Sequence, residues 1–192
     1  AAMAFSMGLK LETIRQGLRT FDTTFFQAPG RANVFSEHPF KVILDYGHNA
    51  HAVDAMCQLA QRLDVTGRRL VVLAGPGDRR DEDLAEIARA AAGKFDHYIC
   101  RRDDGLRGRD GDEVPRLIAT ALQEAGVPAE RIQRIPDEQE AVEAALRMAR
   151  AGDLLLVFGD QITRTWKQIV HFRPDGAQRP VTAEHAIPRV TE

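Results

Sequence analysis

Val42, Ile43 and Leu44 form an unbroken apolar run that stops at Asp45-Tyr46-Gly47-His48-Asn49, and from Ala50 onward Val53, Met56, Cys57 and Ala60 recur at helical spacing. Consecutive apolar residues with β-branched members fit a parallel strand covered on both faces, whereas a half-exposed strand would alternate. The order strand, polar turn, helix then repeats. Leu70 to Ala74 is a second apolar run; it leads through Gly75-Pro76-Gly77-Asp78-Arg79-Arg80 into a helix that opens on Asp81-Glu82-Asp83 and ends at Gly93. Acids at that N-terminus suit the helix dipole. Asp96 to Cys100 reads as a third strand, followed by the highly charged turn 101–111, a helix from about Glu113 to Ala125, and a stop at Gly126-Val127-Pro128. Arg131 to Ile135 is a weaker strand; Asp137 caps a helix reaching Arg150, Asp153 to Phe158 is a strand, and Ile162 to Phe172 a final helix. Such alternation predicts an α/β fold: a mostly parallel sheet with right-handed crossovers and helices on both faces, a Rossmann-like three-layer domain.

The flanks read differently. Ala1 to Phe21 begins mid-pattern, with Gly8 ending one short helix and Leu11, Ile14, Leu18 and Phe21 spacing out a second. Phe25 to Ser36 is linker-like, with Pro29-Gly30 as a hinge signal and Ala32 to Phe35 as an edge strand. Beyond Arg173, Pro174, Gly176, Pro180 and Pro188 break any element. The expected division is therefore a helical piece and linker at 1–28, an α/β domain at 29–173 and a tail at 174–192. The absence of an initiator Met points to a fragment.

Composition narrows the partners. With 26 basic residues scattered among 28 acidic ones and a net charge of -2, there is no basic footprint for nucleic acid. Two cysteines, Cys57 and Cys100, read as small buried hydrophobes, which suits a reducing cytoplasm. No apolar run is long enough to cross a bilayer and no signal peptide is present. His48, His51 and Asp45 fall short of a metal ligand set, so no metal site is expected in this chain.

In open α/β sheets ligands bind beyond the carboxyl ends of the strands, which directs attention to the turns. Asp45 stands where a carboxylate could accept from ribose hydroxyls, and His48 with Asn49 could flank an adenine by stacking and amide contacts; a helix-capping aspartate is the alternative. The Gly75 to Arg80 turn lacks the third glycine of the dinucleotide fingerprint and the Lys-Ser/Thr of a P-loop. Asp103, Asp104, Arg107 and Arg109 are candidates for an amino-acid site, because a guanidinium substrate wants carboxylate partners; a solvated charged loop is the alternative.

Asp45-Tyr46-Gly47-His48-Asn49 resembles the Asp-Tyr-Ala-His-Asn turn of the Mur ligase superfamily. Pro29-Gly30-Arg31 resembles the Gly-Arg that opens the C-terminal domain of those ligases, and Gly77-Asp78-Arg79 their Gly-Asp-Arg turn. Within the superfamily, Leu73 to Asp83 and Phe158 to Ile162 are most similar to the cyanophycin synthetase family. The resemblance implies nucleotide binding by Asp45, His48, Asn49, Asp78 and Arg79, with Arg31 reaching the terminal phosphates of ATP as the catalytic contact. An arginine suits that role because its planar fork pairs with phosphate oxygens. Gly47 for Ala and Ala50 for Pro depart from the family's pattern and loosen the turn.

The implied reaction is ATP-dependent amide ligation through an acyl phosphate, joining arginine to the side-chain carboxyl of an aspartate polymer. Magnesium would be held mainly by domains absent from this chain. Its partners would be the P-loop-bearing Mur central domain, of which 1–28 would be the last helices, and an ATP-grasp region of the same full-length protein, with homo-oligomerisation of that protein left open. This chain alone is expected to be inactive. The alternatives are another Mur-like amino-acid ligase or a non-catalytic nucleotide-binding regulatory module.

Overall fold

The computed structural model describes residues 1–173, so the tail predicted at 174–192 lies outside the described residues. Six strands form one sheet: β1 (Asn33–Phe35), β2 (Lys41–Asp45), β3 (Arg69–Leu73), β4 (His97–Cys100), β5 (Ile132–Arg134) and β6 (Leu154–Phe158), in the spatial order β1-β2-β6-β3-β4-β5. All pairings are parallel except that of β1 with β2. The last strand in sequence is thus threaded into the middle of the sheet, with Leu44 opposite Val157 and Val72 opposite the same residue on the other side.

The unbroken apolar runs have a direct cause. Ile43, Val71, Tyr98 and Leu156 face one layer of helices, α3 (Ala50–Arg62), α4 (Asp81–Ala91) and α5 (Glu113–Glu124), through Val53, Leu84 and Ile118. Val42, Leu44, Val72 and Val157 face the other layer, α6 (Glu138–Met148) and α7 (Ile162–His171), through Val142, Leu146 and Ile169. Successive side chains on a strand point to opposite faces, so a strand buried twice must be apolar at every position. The predicted mostly parallel three-layer α/β fold is what forms.

Boundaries shift where local hydrogen bonding intervenes. The helix expected to reach Arg150 stops at Met148, because Ala149 turns extended and the Arg150 N–H donates to Asp153 Oδ2 at 2.9 Å. The weak strand shortens to Ile132–Arg134 behind a single 3₁₀ turn, Ala129–Arg131, and lies at the sheet edge with two of its three residues exposed. At the start of the chain, α1 (Ala2–Ser6) buries none of its residues, and α2 (Leu11–Thr20) buries only Ile14. Met3, Phe5, Met7, Leu18 and Phe21 stay exposed.

One consequence of the topology decides where chemistry can occur. The parallel strands β2, β3, β4 and β6 all end on the same side. The antiparallel β1 starts there too, since Asn33 sits opposite Leu44. The turns 45–49, 74–80, 101–112 and 159–161 and the Gly30–Ala32 bend are therefore neighbours.

Candidate functional site

Arg31 occupies the apex of a tight bend. Gly30 (φ +69°) and Ala32 (φ +49°) on either side both take left-handed backbone, which is ordinary for glycine and costly for alanine. The bend is held by bonds from both directions. The Gly30 N–H donates to Asn33 Oδ1 at 2.6 Å, its carbonyl accepts from the Tyr46 N–H at 2.9 Å, and the Ala32 N–H donates to Asp45 Oδ2 at 2.8 Å. Asn33 is fully buried and donates in turn to the carbonyls of Thr23 and Ala28, both at 2.9 Å. The Arg31 guanidinium itself is exposed, with its carbon 5.6 Å from the centre of the Tyr46 ring, a cation–π distance.

Asp45 is only 8% exposed, and its other oxygen accepts from the Gly47 N–H at 2.7 Å. Its carboxylate therefore clamps the Arg31 bend to the turn after β2. Within that turn His48 lies against Tyr46, ring centres 5.0 Å apart, with Nδ1 3.3 Å from the Tyr46 carbonyl. Asn49 caps α3 by accepting from the Ala52 N–H at 2.9 Å. Gly47 has a packing reason: a Cβ there would stand 2.9 Å from the Phe158 ring and 3.1 Å from Asp45 Oδ1. The departure from the family's alanine is thus matched by the bulk of Phe158.

The turns after β3 and β4 are laced together. Arg109, 16% exposed at its side chain, donates to the carbonyls of Gly77 (2.9 Å) and Arg79 (2.6 Å) and pairs with Asp81 (2.7 Å) and Glu113 (2.5 Å). Arg107 pairs with Asp78 at 2.8 Å on the surface, and Arg79 is exposed. Gly77 must be glycine, since a Cβ would collide with the Leu106 carbonyl. Asp104 pairs with Arg164 of α7 at 2.8 Å, and the hydrogen bond from Arg164 holds its carboxyl below the ordinary range. The four charged residues expected to form one amino-acid site therefore divide. Arg107 and Arg109 tie loop to loop, while Asp103 and Asp104 line up toward β6 and α7.

Beneath them lies a buried ionic network. Arg101 is fully buried; its Nη2 donates to the Phe158 carbonyl at 2.5 Å, and its Nη1 reaches the Arg102 carbonyl (2.7 Å), Glu138 (3.0 Å) and Asp103 (3.4 Å). Glu138, also fully buried, accepts the N–H groups of Asp160 (2.9 Å) and Gln161 (3.2 Å) and the hydroxyl of Thr165. The first residue of α6 thus caps the start of α7 from outside, supplying the negative charge that the α7 terminus favours. Asp103, at 12% exposure, opens onto a cleft it shares with Tyr46, His48, Pro76, Arg101 and Asp160. Burial pushes its carboxyl above the usual range, Arg101 opposes that, and Asp160 and Glu138 reinforce it.

Asn33, Arg101, Glu138 and Asp160 went unselected in the sequence. An arginine directly after an apolar strand and an acid opening a helix were the available signals, and both are commonly surface features. Among the described residues no group of three or more His, Cys, Asp or Glu side chains gathers as for a metal ion. Nor, among them, is any helix long and apolar enough to cross a membrane.

Comparison with known proteins bears on the family and the fold. The family described as Mur ligase, glutamate ligase domain, matches residues 30–161. A cyanophycin synthetase from Geminocystis herdmanii (strain PCC 6308) is 40% identical over 166 residues, 86% of this chain and 19% of that protein. A UDP-N-acetylmuramoyl-L-alanyl-D-glutamate--2,6-diaminopimelate ligase from Aquifex aeolicus (strain VF5) is 27% identical, covering 83% of this chain and 31% of its own. Among solved structures, E. coli FolC in complex with DHPP and ADP aligns with a TM-score of 0.61 at 26% identity, over 84% of this chain and 34% of that one. The chain spans about a fifth of the length of the cyanophycin synthetases it matches. With a family match over well more than half its residues, the chain belongs to the Mur ligase, glutamate ligase domain family.

Proposed function

We propose that this chain is the domain at 29–173, with the linker and helical piece at 1–28, of a cytoplasmic ATP-dependent amide ligase of the cyanophycin synthetase kind. In it, arginine is joined to the side-chain carboxyl of an aspartate polymer. A carboxylate oxygen attacks the terminal phosphorus of ATP and ADP leaves; the amine then attacks the acyl carbon, phosphate leaves and the ammonium proton is lost. The domain forms one wall of that site. Arg31 contributes the charge facing the terminal phosphate, and the observation that carries this reading is its placement. The guanidinium is exposed at the carboxyl end of the parallel strands, while the residues on either side, Gly30 and Ala32, are pinned by Asn33, Tyr46 and Asp45.

A fixed backbone beneath a free guanidinium is the preorganisation that electrostatic stabilisation of phosphoryl transfer needs. His48 and Asn49 border the nucleotide, with Asp45 beneath them and Asp78 and Arg79 on the adjoining turn. Asp103 and Asp104 border the incoming amino acid, while Arg107 and Arg109 hold the neighbouring loops in place. Magnesium is assigned mainly to the other domains of the full protein. What supports the ligase reading over a bare binding module is the similarity to cyanophycin synthetases at 36–40% identity.

The test is ADP release by the full-length protein with single amino acids and an aspartate-backbone polymer. Arginine- and polymer-dependent release, absent from this chain alone, is expected. Release driven by another amino acid would make it a different Mur-like ligase. Nucleotide binding without release would make it a regulatory module.

A further inference from the structure

Arg101 stands between two carboxylates, with Nη1 3.0 Å from Glu138 and 3.4 Å from Asp103. The nearer partner is buried and bound from four other directions, by the N–H groups of Asp160 and Gln161, by Thr165 and, at 3.7 Å, by the Arg164 guanidinium, which is longer than the 3.0 Å contact with Arg101. Asp103 has no comparable set of partners and faces the cleft. A buried arginine cannot lose its proton, so its charge must be matched by a carboxylate nearby. Because Glu138 supplies the shorter contact, the Asp103 carboxyl is left facing the cleft and not folded onto Arg101. Asp160, whose backbone N–H Glu138 holds, adds a second carboxylate on the same wall.

Resting on the ligase reading above, we propose that Glu138 is a positioning residue for amino-acid selection. By serving as the counter-ion of Arg101, it leaves Asp103 available to a cationic side chain, a guanidinium or ammonium, of the incoming amino acid. Without the Glu138 charge, Arg101 takes Asp103 as its partner and the cleft loses its preference for cations. A carboxylate so claimed costs the substrate one charge-assisted hydrogen bond, which corresponds to about a ten- to hundredfold loss of affinity.

The experiment compares KM for arginine, KM for its neutral isostere citrulline, KM for ATP and kcat in the full-length enzyme. Glu138→Gln keeps the shape and removes the charge: its one amide oxygen can accept from the Asp160 N–H, and its NH2 can donate to the Thr165 hydroxyl. The expected result is a ten- to hundredfold rise in KM for arginine, with KM for citrulline and ATP and kcat within about twofold. Replacing both members, Arg101→Met with Glu138→Gln, frees Asp103 again and should return KM for arginine to within about threefold of wild type. A purely structural role would not give that recovery. An unchanged arginine KM in Glu138→Gln, equal rises for arginine and ATP, or a double variant no better than the single one would overturn the proposal. Should Glu138→Gln fail to fold, the double variant decides alone, and a tenfold rise in its arginine KM counts against. Wild-type enzyme that releases ADP with no cationic amino acid overturns the ligase reading first, and this inference with it.

Discussion

Replacing Asp45 by Ala removes both acceptors that join the Arg31 bend to the turn after β2. The two hydrogen bonds lost, from Ala32 N–H at 2.8 Å and Gly47 N–H at 2.7 Å, end on a carboxylate that is 8% exposed. Hydrogen bonds to a charged group contribute about 1.5–3 kcal/mol each, and a buried donor left unpaired costs a similar amount. Gly47 is buried while Ala32 is only partly so, which lets water replace one of the two. A net loss of about 3–5 kcal/mol follows, a large share of the roughly 5–15 kcal/mol that holds a domain folded. Urea denaturation of this chain should show the midpoint falling with little change in slope, and the melting temperature should drop by about 6–20 °C. Amide exchange at Ala32 and Gly47 should quicken more than at Val157 in the sheet centre. A loss below about 1 kcal/mol with both amides still protected would refute the clamp.

Two further outcomes follow from the packing around the cleft. Burial raises the Asp103 carboxyl in the folded state, so its ionised form weakens the fold at any pH above that raised value, and the penalty disappears as pH falls through it. Asp103→Asn should therefore raise the melting temperature at neutral pH, and the gap should close below about pH 4, where the unfolded carboxyl is also protonated; a lower melting temperature at pH 7 contradicts this. Gly47→Ala places a methyl 2.9 Å from the Phe158 ring and should destabilise by about 1–3 kcal/mol, with Phe158→Leu in the same chain recovering most of it. Additive losses in the double variant would show that ring and turn do not compete for the same space.

The sheet was legible because burial on both faces leaves no alternative to runs such as Val42–Leu44 and Leu154–Val157. Asp45 stood out by its place at a strand end, and Arg31 only through the resemblance of Pro29-Gly30-Arg31 to the Gly-Arg of the Mur ligases. What could not be read was who bonds to whom. Asp45 meets Ala32 only because β1 pairs with β2 in one register, and an amide 13 positions upstream carries no mark of that. Glu138 reaches the start of α7 only because β6 is threaded between β2 and β3, bringing α6 and α7 side by side. Strand order is a property of the packed molecule, so an acid in the first turn of α6 reads as a surface cap until the order is known. Arg101 was hidden for the same reason: inside a charged turn it resembles its solvated neighbours, yet the Phe158 carbonyl and Glu138 draw it into the core.

The central claim is that Arg31 meets the terminal phosphate as it is transferred, and steady-state kinetics of Arg31→Lys in the full-length enzyme test it most directly. Lysine keeps the charge and the cation–π partner but loses the planar fork. A contact made in the transition state and lost should lower kcat roughly 30- to 1,000-fold, with KM for ATP moving less than about threefold. An unchanged kcat, or a loss confined to KM for ATP, would return Arg31 to the surface and contradict the account.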